Sequence, residues 1–469
     1  MADPQDELTS VETRTPWSTS PFVPQYRVVT FGMLTLIVLS AFESLAVTTT
    51  MPAVVRALGG LNLYAMAFAA PVAAGVVGMV AAGGWADRRG PAAPLMTGVS
   101  LFAAGLVVAG TAQSMVAVVG GRVVQGLGSG MLTVALYVIV ARVFPGHVQP
   151  RVFASFAAAW VIPSVVGPAL AGLIAEHLGW RWVFLAVPLL TLPAVAALRP
   201  ALAQVAAAPP GRAADSPGDR LRLPAAVGAG TGAMALHWGG QQSGTTQLLA
   251  VGAGLLLLGV SAPRLLPAGT LRVARGLPSV IVLRGLLGAA FFGAEVYLPL
   301  LLIERRGLSQ AGAGLALTAA AVLWSAGSWL RGRREGRWDD RSTLRWGALA
   351  VTAGVGCAAL ALSPAVPVAV SLLGWGLSGL GMGLAYPTLS LLTLRLSAPG
   401  EQGTASSALQ VNESLTIAVA LAAGAPAFAA LAPTNEVGAF LVCFALAAVL
   451  AACGAAIASR VVPAGPATV

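Results

Sequence analysis

Residues 83–90 read Gly83-Gly84-Trp85-Ala86-Asp87-Arg88-Arg89-Gly90, a polar string set between apolar runs at 62–83 and 93–112. Each run is long enough to cross a hydrocarbon core of roughly 30 Å as a helix. The string therefore reads as a loop joining two membrane-crossing helices. Its glycines permit a tight turn between closely packed helices, while Asp87 and the arginines can bind a neighbouring helix end or each other. Breaking and remaking those contacts would make Gly83, Asp87, Arg88 and Gly90 a gate. A positively charged stop signal for membrane insertion accounts for Arg88 and Arg89, but not for the spacing of Asp87 and the glycines.

The alternation of apolar run and polar break continues in both directions, from Val29 to Ser459. It gives fourteen expected spans, at 29–55, 62–83, 93–112, 115–142, 152–175, 179–198, 223–239, 247–266, 279–303, 310–331, 343–362, 365–394, 403–430 and 436–459. Of the 469 residues 57% are apolar and 9% charged, whereas a soluble domain carries about 25% charge. Lipid accounts for the difference, and the fold class expected is an all-α polytopic membrane protein. Residues 1–25 are polar and mildly acidic, so no cleavable signal peptide is expected.

The spans divide into a cytoplasmic tail (1–28), a six-helix bundle (29–198), a cytoplasmic loop (199–222), an inserted helix pair (223–266), a linker (267–278), a second six-helix bundle (279–461) and a tail (462–469). Pro209, Pro210, Gly211, Pro217 and Gly218 mark the loop as flexible. Charged turns at 87–89 and 331–345 follow the second and tenth spans, which are corresponding places in the two bundles. Paired halves of this kind are the signature of a transporter with its substrate site between them.

All 27 basic residues are arginine. With the N-terminus in the cytoplasm, 21 of the 27 fall on that side and only Arg56, Arg181, Arg305 and Arg306 face outward. This asymmetry places both termini inside, in a multi-pass protein of the inner (cytoplasmic) membrane. The net charge of +10 sits in short loops rather than along one amphipathic helix, so nucleic acid is not expected as a partner. Cys357, Cys443 and Cys453 lie within apolar runs without metal-ligand spacing and are expected to serve helix packing. Nothing resembles a phosphate-binding loop, a Ser-His-Asp set or a zinc helix, so no enzyme activity, cofactor or metal is expected.

Three strings carry a resemblance. The 83–90 string resembles the loop motif between the second and third helices of the major facilitator superfamily, which implies a cytoplasmic latch. Arg122-Val-Val-Gln125-Gly126-Leu-Gly128-Ser-Gly130 is similar to that superfamily's buried-arginine motif, and Gly167-Pro168-Ala-Leu-Ala171-Gly172 to its antiporter motif. Gly179-Trp180-Arg181-Trp182-Val183-Phe184 is similar to a segment of the fourteen-helix drug:proton antiporter branch. With the inserted pair, the resemblance spans nearly all of residues 29–460. It implies two six-helix bundles, alternating access and export of drugs or natural products. The Arg331-Gly332-Arg333-Arg334 turn departs from the pattern, because it lacks the Asp-Arg-x-Gly order.

An arginine inside a span costs about 2.5–3.5 kcal/mol on insertion scales, so Arg122 must face protein or water and have a partner. Gly167-Pro168 removes a backbone donor and admits a close neighbour, so a bend is expected there. Glu43, Glu295 and Glu413 are the carboxylates placed well inside apolar runs. Burial disfavours the charged form of a carboxylate unless a cation is near, which is the property a proton carrier needs. Glu43, Glu295, Glu413 and Arg122 are thus the expected proton-coupling residues, with a neutral Glu bonded between helices as the structural alternative. Gln410 and Glu413 share a helix face, and with Asn412, Phe292 and Tyr297 they are expected to line a substrate cavity. Trp160, Trp324, Trp375 and Phe291 could stack on ligands but more commonly pack a core.

The expected partners are a hydrophobic or cationic small molecule, protons and membrane lipid, handled by a monomer. A lipid or glycolipid exporter of the same fold, and a non-transporting membrane scaffold or sensor, remain the rival readings.

Overall fold

Within hydrocarbon every backbone polar group must be bonded inside its own segment, and an uninterrupted apolar run satisfies that condition only as a helix. The computed structural model describes residues 20–60, 63–191, 219–242, 244–333 and 338–462, and among them there is no strand. The helices are α1 (Arg27–Leu58), α2 (Tyr64–Arg89), α3 (Ala92–Thr111), α4 (Met115–Val143), α5 (Gln149–Ala159), α6 (Val161–His177) and α7 (Trp180–Thr191). They continue with α8 (Asp219–Gly239), α9 (Gly244–Leu265), α10 (Leu277–Glu295), α11 (Leu298–Arg306), α12 (Gln310–Arg333), α13 (Asp340–Ala359), α14 (Val368–Leu396), α15 (Gln402–Leu431) and α16 (Glu436–Ile457). Twelve of the described segments are long and apolar enough to cross a membrane, two of them made of a broken pair of helices. Residues 1–19, most of the 199–222 loop, the end of the sixth expected span and residues 463–469 lie outside the described residues.

Several expectations are corrected. The 83–90 string is not a loop: α2 runs on through Arg89, and only Gly90, at φ +84°, leaves the helix. Burial of Asp87 against another helix keeps those last residues helical. The fifth and ninth spans are each broken. In the fifth the interruption falls at Trp160, and α6 continues unbroken through Gly167 and Pro168. Pro163 is responsible, since a proline cannot donate to the carbonyl four residues back, here Ala159, and its ring crowds that carbonyl. Pro299 acts in the same way on the carbonyl of Glu295, so α10 stops there and α11 begins at Leu298. The inserted pair starts at Asp219 rather than 223. Cys443 is buried as expected, but Cys453 is exposed.

The two halves repeat one packing scheme. In the first, α2 and α3 both pack on α4; in the second, α12 and α13 both pack on α14. Small residues set the spacing. A Cβ on Gly126 of α4 would run into the Pro71 carbonyl of α2, and one on Gly379 of α14 would run into the Ala320 carbonyl of α12. The halves meet along two seams, α2 with α15 and α5 with α12, which exchange when the halves are interchanged. The inserted α8 and α9 rest on the first seam, where Ala226, Ala229 and Leu258 share a cluster with Val76 of α2 and Val411 of α15.

The close approach makes a direct prediction. Gly126→Ala is expected to lower stability by about 1–3 kcal/mol through overpacking. Gly172→Ala is expected to be neutral, because nothing lies within 4 Å of a Cβ there. Thermal unfolding of the purified variants compares them, and equal midpoints would contradict the packing.

Candidate functional site

α4 carries its arginine, Arg122, to where Glu43 of α1 and Ala67 of α2 can reach it, and the residue is 6% exposed. Its Nη1 donates to Glu43 Oε1 on α1 and to Gln125 Oε1 one turn along α4, and its Nε donates to the Ala67 carbonyl of α2 at 3.0 Å. Glu43 is buried with it. The guanidinium that hydrocarbon would expel is thereby neutralised by one carboxylate and two neutral oxygens, and it ties three helices together.

The second half holds a counterpart. Arg284 of α10 donates from Nε to Glu413 Oε2 of α15 at 2.7 Å, and both side chains are buried. Its Nη1 lies 3.4 Å from Ser390 Oγ and its Nη2 3.4 Å from Gln410 Oε1. The guanidinium carbon sits 3.5 Å from the ring centre of Tyr386, whose hydroxyl donates to Glu413 Oε1 at 2.6 Å. Both oxygens of Glu413 are thus occupied, by a cation and by a phenol. Trp324 stands edge-on to Tyr386 at 4.8 Å and to Phe291 at 5.3 Å, so an aromatic wall adjoins the charged network.

The two pairs lie at different depths. At 1.5 Å per residue Arg122 is about 10 Å from the start of α4, at the end of the protein poor in arginine. Arg284 is about 10 Å from the start of α10, at the arginine-rich end.

At the arginine-rich end Asp87 reaches from α2 to the first turn of α15. Its Oδ1 accepts from the Gly403 N–H at 2.7 Å and its Oδ2 from the Thr404 N–H at 2.7 Å. These are orphan donors of a helix N-terminus, where a carboxylate is favoured both as a cap and by the helix dipole. Gly83 allows the approach, since a Cβ there would meet the Gly403 carbonyl at 2.8 Å. Arg142 of α4 steadies the end of α2 through the Ala86 carbonyl at 3.0 Å, and Arg88 is exposed at the helix end. Hydrogen bonds also cross between the halves from Ser325 Oγ to the Ala157 carbonyl at 3.3 Å and between the Tyr137 and Ser390 hydroxyls at 3.2 Å.

The expected site residues are therefore divided. Glu43, Arg122, Glu413 and Gln410 are drawn into buried charge networks. Glu295 is half-buried at the break between α10 and α11, with no hydrogen-bond or ion-pair partner among the described residues. Phe292 joins the aromatic wall, its ring centre 6.2 Å from that of Trp324. Tyr297 continues the stripe of Ala290, Ala294 and Leu301 at helical spacing, packs against Phe428 at 5.1 Å between ring centres, and borders a small cavity of about 10 Å³ together with Gly424 and Cys443. Asn412 spends its amide on the Ile281 carbonyl at 2.7 Å, fastening α15 to α10. Gly167 makes only ordinary contact with Phe42 and Leu45, and Gly172 faces open space. Trp375 and Phe291 stack in the core at 4.7 Å, while Trp160 is exposed.

Sequence reasoning passed over Arg284 and Tyr386. Arg284 stands inside the 279–303 run, so the insertion cost applied to Arg122 applies to it as well. Tyr386 had no comparable signal.

Comparison with known proteins follows the same lines. A family model described as Major Facilitator Superfamily matches residues 33–421. A probable multidrug-efflux transporter of Mycobacterium tuberculosis is 25% identical over 408 residues, covering 80% of this chain and 82% of that protein. Multidrug resistance protein 3 of Bacillus subtilis is 31% identical over 156 residues, or 33% of this chain; the match spans only 30% of that relative's length. Among solved structures, the human organic anion transporter MFSD10 superposes with a TM-score of 0.68 at 15% identity, covering 93% of this chain and 99% of that one. The proton:xylose symporter XylE superposes with a TM-score of 0.62 at 15% identity, covering 91% and 94%.

The buried pair in the second half can be tested as a pair. Arg284→Gln strands Glu413 without a cation and is expected to cost about 3–5 kcal/mol. Adding Glu413→Gln is expected to restore most of that loss. Thermal unfolding of the single and double variants measures the coupling, and additive losses would show that the two side chains act independently.

Proposed function

This chain belongs to the major facilitator superfamily, and from that membership we propose that the transporter exports hydrophobic or cationic small molecules in exchange for protons, by alternating access. The observation that carries the reading is the buried arginine–carboxylate pair in each half, Glu43 with Arg122 and Glu413 with Arg284. A carboxylate so placed has two competing states, paired with its arginine or protonated and released from it. A cationic substrate beside the wall of Trp324 and Tyr386 would compete with Arg284 for Glu413. Proton and substrate then exclude each other at one acid, which is the requirement for exchange. Glu295, at the helix break, is a further acceptor along the path. Relatives named for multidrug efflux support this substrate class.

The sidedness proposed follows from arginine placement. The end carrying Asp87 faces the cytoplasm, both termini lie inside, and the membrane is the inner one. The six-helix halves are taken as the moving bodies, and one chain as the working unit. With Asp87 capping α15, the cytoplasmic ends of α2 and α15 are joined and the halves are closed on that side. Opening there must break two hydrogen bonds to a charged acceptor, each contributing about 1.5–3 kcal/mol. One proton moving inward supplies about 2.3 kcal/mol per 100 mV and about 1.4 kcal/mol per pH unit, enough for a gradient of a neutral substrate of a few hundredfold.

Inverted membrane vesicles supplied with fluorescent dyes in the medium test the proposal, since export then appears as uptake into the vesicle. Wild-type protein should move dye in a way that collapses with a protonophore; dye movement indifferent to the protonophore would rule out proton exchange. Asp87→Asn keeps the shape but turns an amide against two backbone donors, and is expected to slow transport about tenfold or more with insertion intact. Glu413→Gln should impair export of cations more than of neutral dyes, whereas Glu43→Gln should impair both. Equal, undiminished efflux of both dye classes by the Glu413→Gln protein would remove Glu413 from substrate recognition.

A further inference from the structure

The two seams between the halves are not alike. The seam of α2 and α15 lies under the inserted pair. The seam of α5 and α12 carries, at the arginine-rich end, a cleft of about 390 Å³. Its walls come from both halves: Arg151, Ala154 and Ser155 from α5, and Trp329, Gly332 and Arg333 from α12. Phe22, ahead of α1, closes one side.

We propose that this cleft binds the phosphate headgroup of an anionic phospholipid from the adjoining leaflet, with Arg151 and Arg333 approaching the phosphate from opposite halves. Charge is the first argument. Among the described residues the lining holds two guanidinium groups and no carboxylate, and guanidinium is the side chain best matched to phosphate oxygens. Basic pockets between membrane helices at a cytoplasmic face have this chemistry for anionic headgroups.

The second argument is the apolar surface beside the charge. Trp329 is 53% exposed and Phe22 43%, and the Arg333 guanidinium lies 4.0 Å from the centre of the Trp329 ring. An aromatic ring with a cation on its face belongs at the level where headgroups meet acyl chains. A soluble phosphate would satisfy the arginines but leave Trp329 and Phe22 uncovered, whereas a phospholipid covers both. The floor is firm, since Gly332 comes so near α5 that a Cβ would lie 3.4 Å from Ala154. The cleft falls in the range of roughly 300–1,000 Å³ usual for small-ligand sites. A lipid held by both arginines bridges the halves at the same end as Asp87, but across the opposite seam. The binding does not depend on what the protein transports.

The test is lipid retention by the full-length protein, followed by native mass spectrometry after reconstitution with equal phosphatidylglycerol and phosphatidylcholine. Wild-type protein should retain phosphatidylglycerol preferentially. Each arginine is expected to contribute about fivefold, so Arg151→Gln with Arg333→Gln should weaken retention about twenty-five-fold. Arg345→Gln, an exposed arginine at the same end but outside the cleft, should change nothing. If the double variant does not fold, Arg333→Gln alone should still show the fivefold loss. Equal retention of the two lipids by wild-type protein, undiminished retention by the folded arginine variants, or displacement of the lipid by millimolar inorganic phosphate would each overturn the proposal.

Discussion

A guanidinium inside hydrocarbon has to be neutralised where it stands, and that requirement decides which helices of this protein can be neighbours. Arg122 fastens α4 to α1 and α2, and Arg284 fastens α10 to α14 and α15. Arg331, 2% exposed, joins α12 to α14 through Thr388 at 2.9 Å and to α13 through Asp340. In a setting without a hydrophobic driving force between helices, such ties and the close glycine contacts do what a hydrophobic core does in water. Two of these ties use the carboxylates of Glu43 and Glu413, so the framework shares side chains with the exchange chemistry proposed above.

Sharing has a cost in freedom. A carboxylate whose two oxygens are both occupied, as in Glu413, cannot accept a substrate cation without giving up a partner. Glu295 is under no such constraint, because the break made by Pro299 leaves it at the edge of the packed stripe that carries Tyr297. Asp87 is different again. Its partners are backbone donors at the start of a helix in the other half, so it ties the two halves together directly.

Much of the fold was legible in the sequence because membrane thickness imposes a length on every span, and length survives without knowledge of tertiary contacts. Span ends were less legible. α2 outruns its apolar stretch by several residues because Asp87 is satisfied by α15, a contact 316 residues away in the chain. Breaks were readable as prolines, but assignment to Pro168 rather than Pro163 followed the more recognisable string instead of the carbonyl left without a donor. Candidate acids stood out as charges in apolar runs. Their pairing did not, since Glu43 and Arg122 are separated by 79 residues and Arg284 and Glu413 by 129. Asn412 shows the same limit: polarity marks a residue as noteworthy, and only packing gives its amide the Ile281 carbonyl as a partner.

The inserted helices rest on one seam alone, and this has a mechanical consequence. Two equal bodies joined by two equivalent seams can seesaw about the axis between them. Once α8 and α9 are laid along the seam of α2 and α15, the sides differ in thickness and in the surface that must shear. Under the alternating access proposed above, motion would resemble a bound book more than a seesaw, with the thickened side as the spine and the widest parting along the edge formed by α5 and α12.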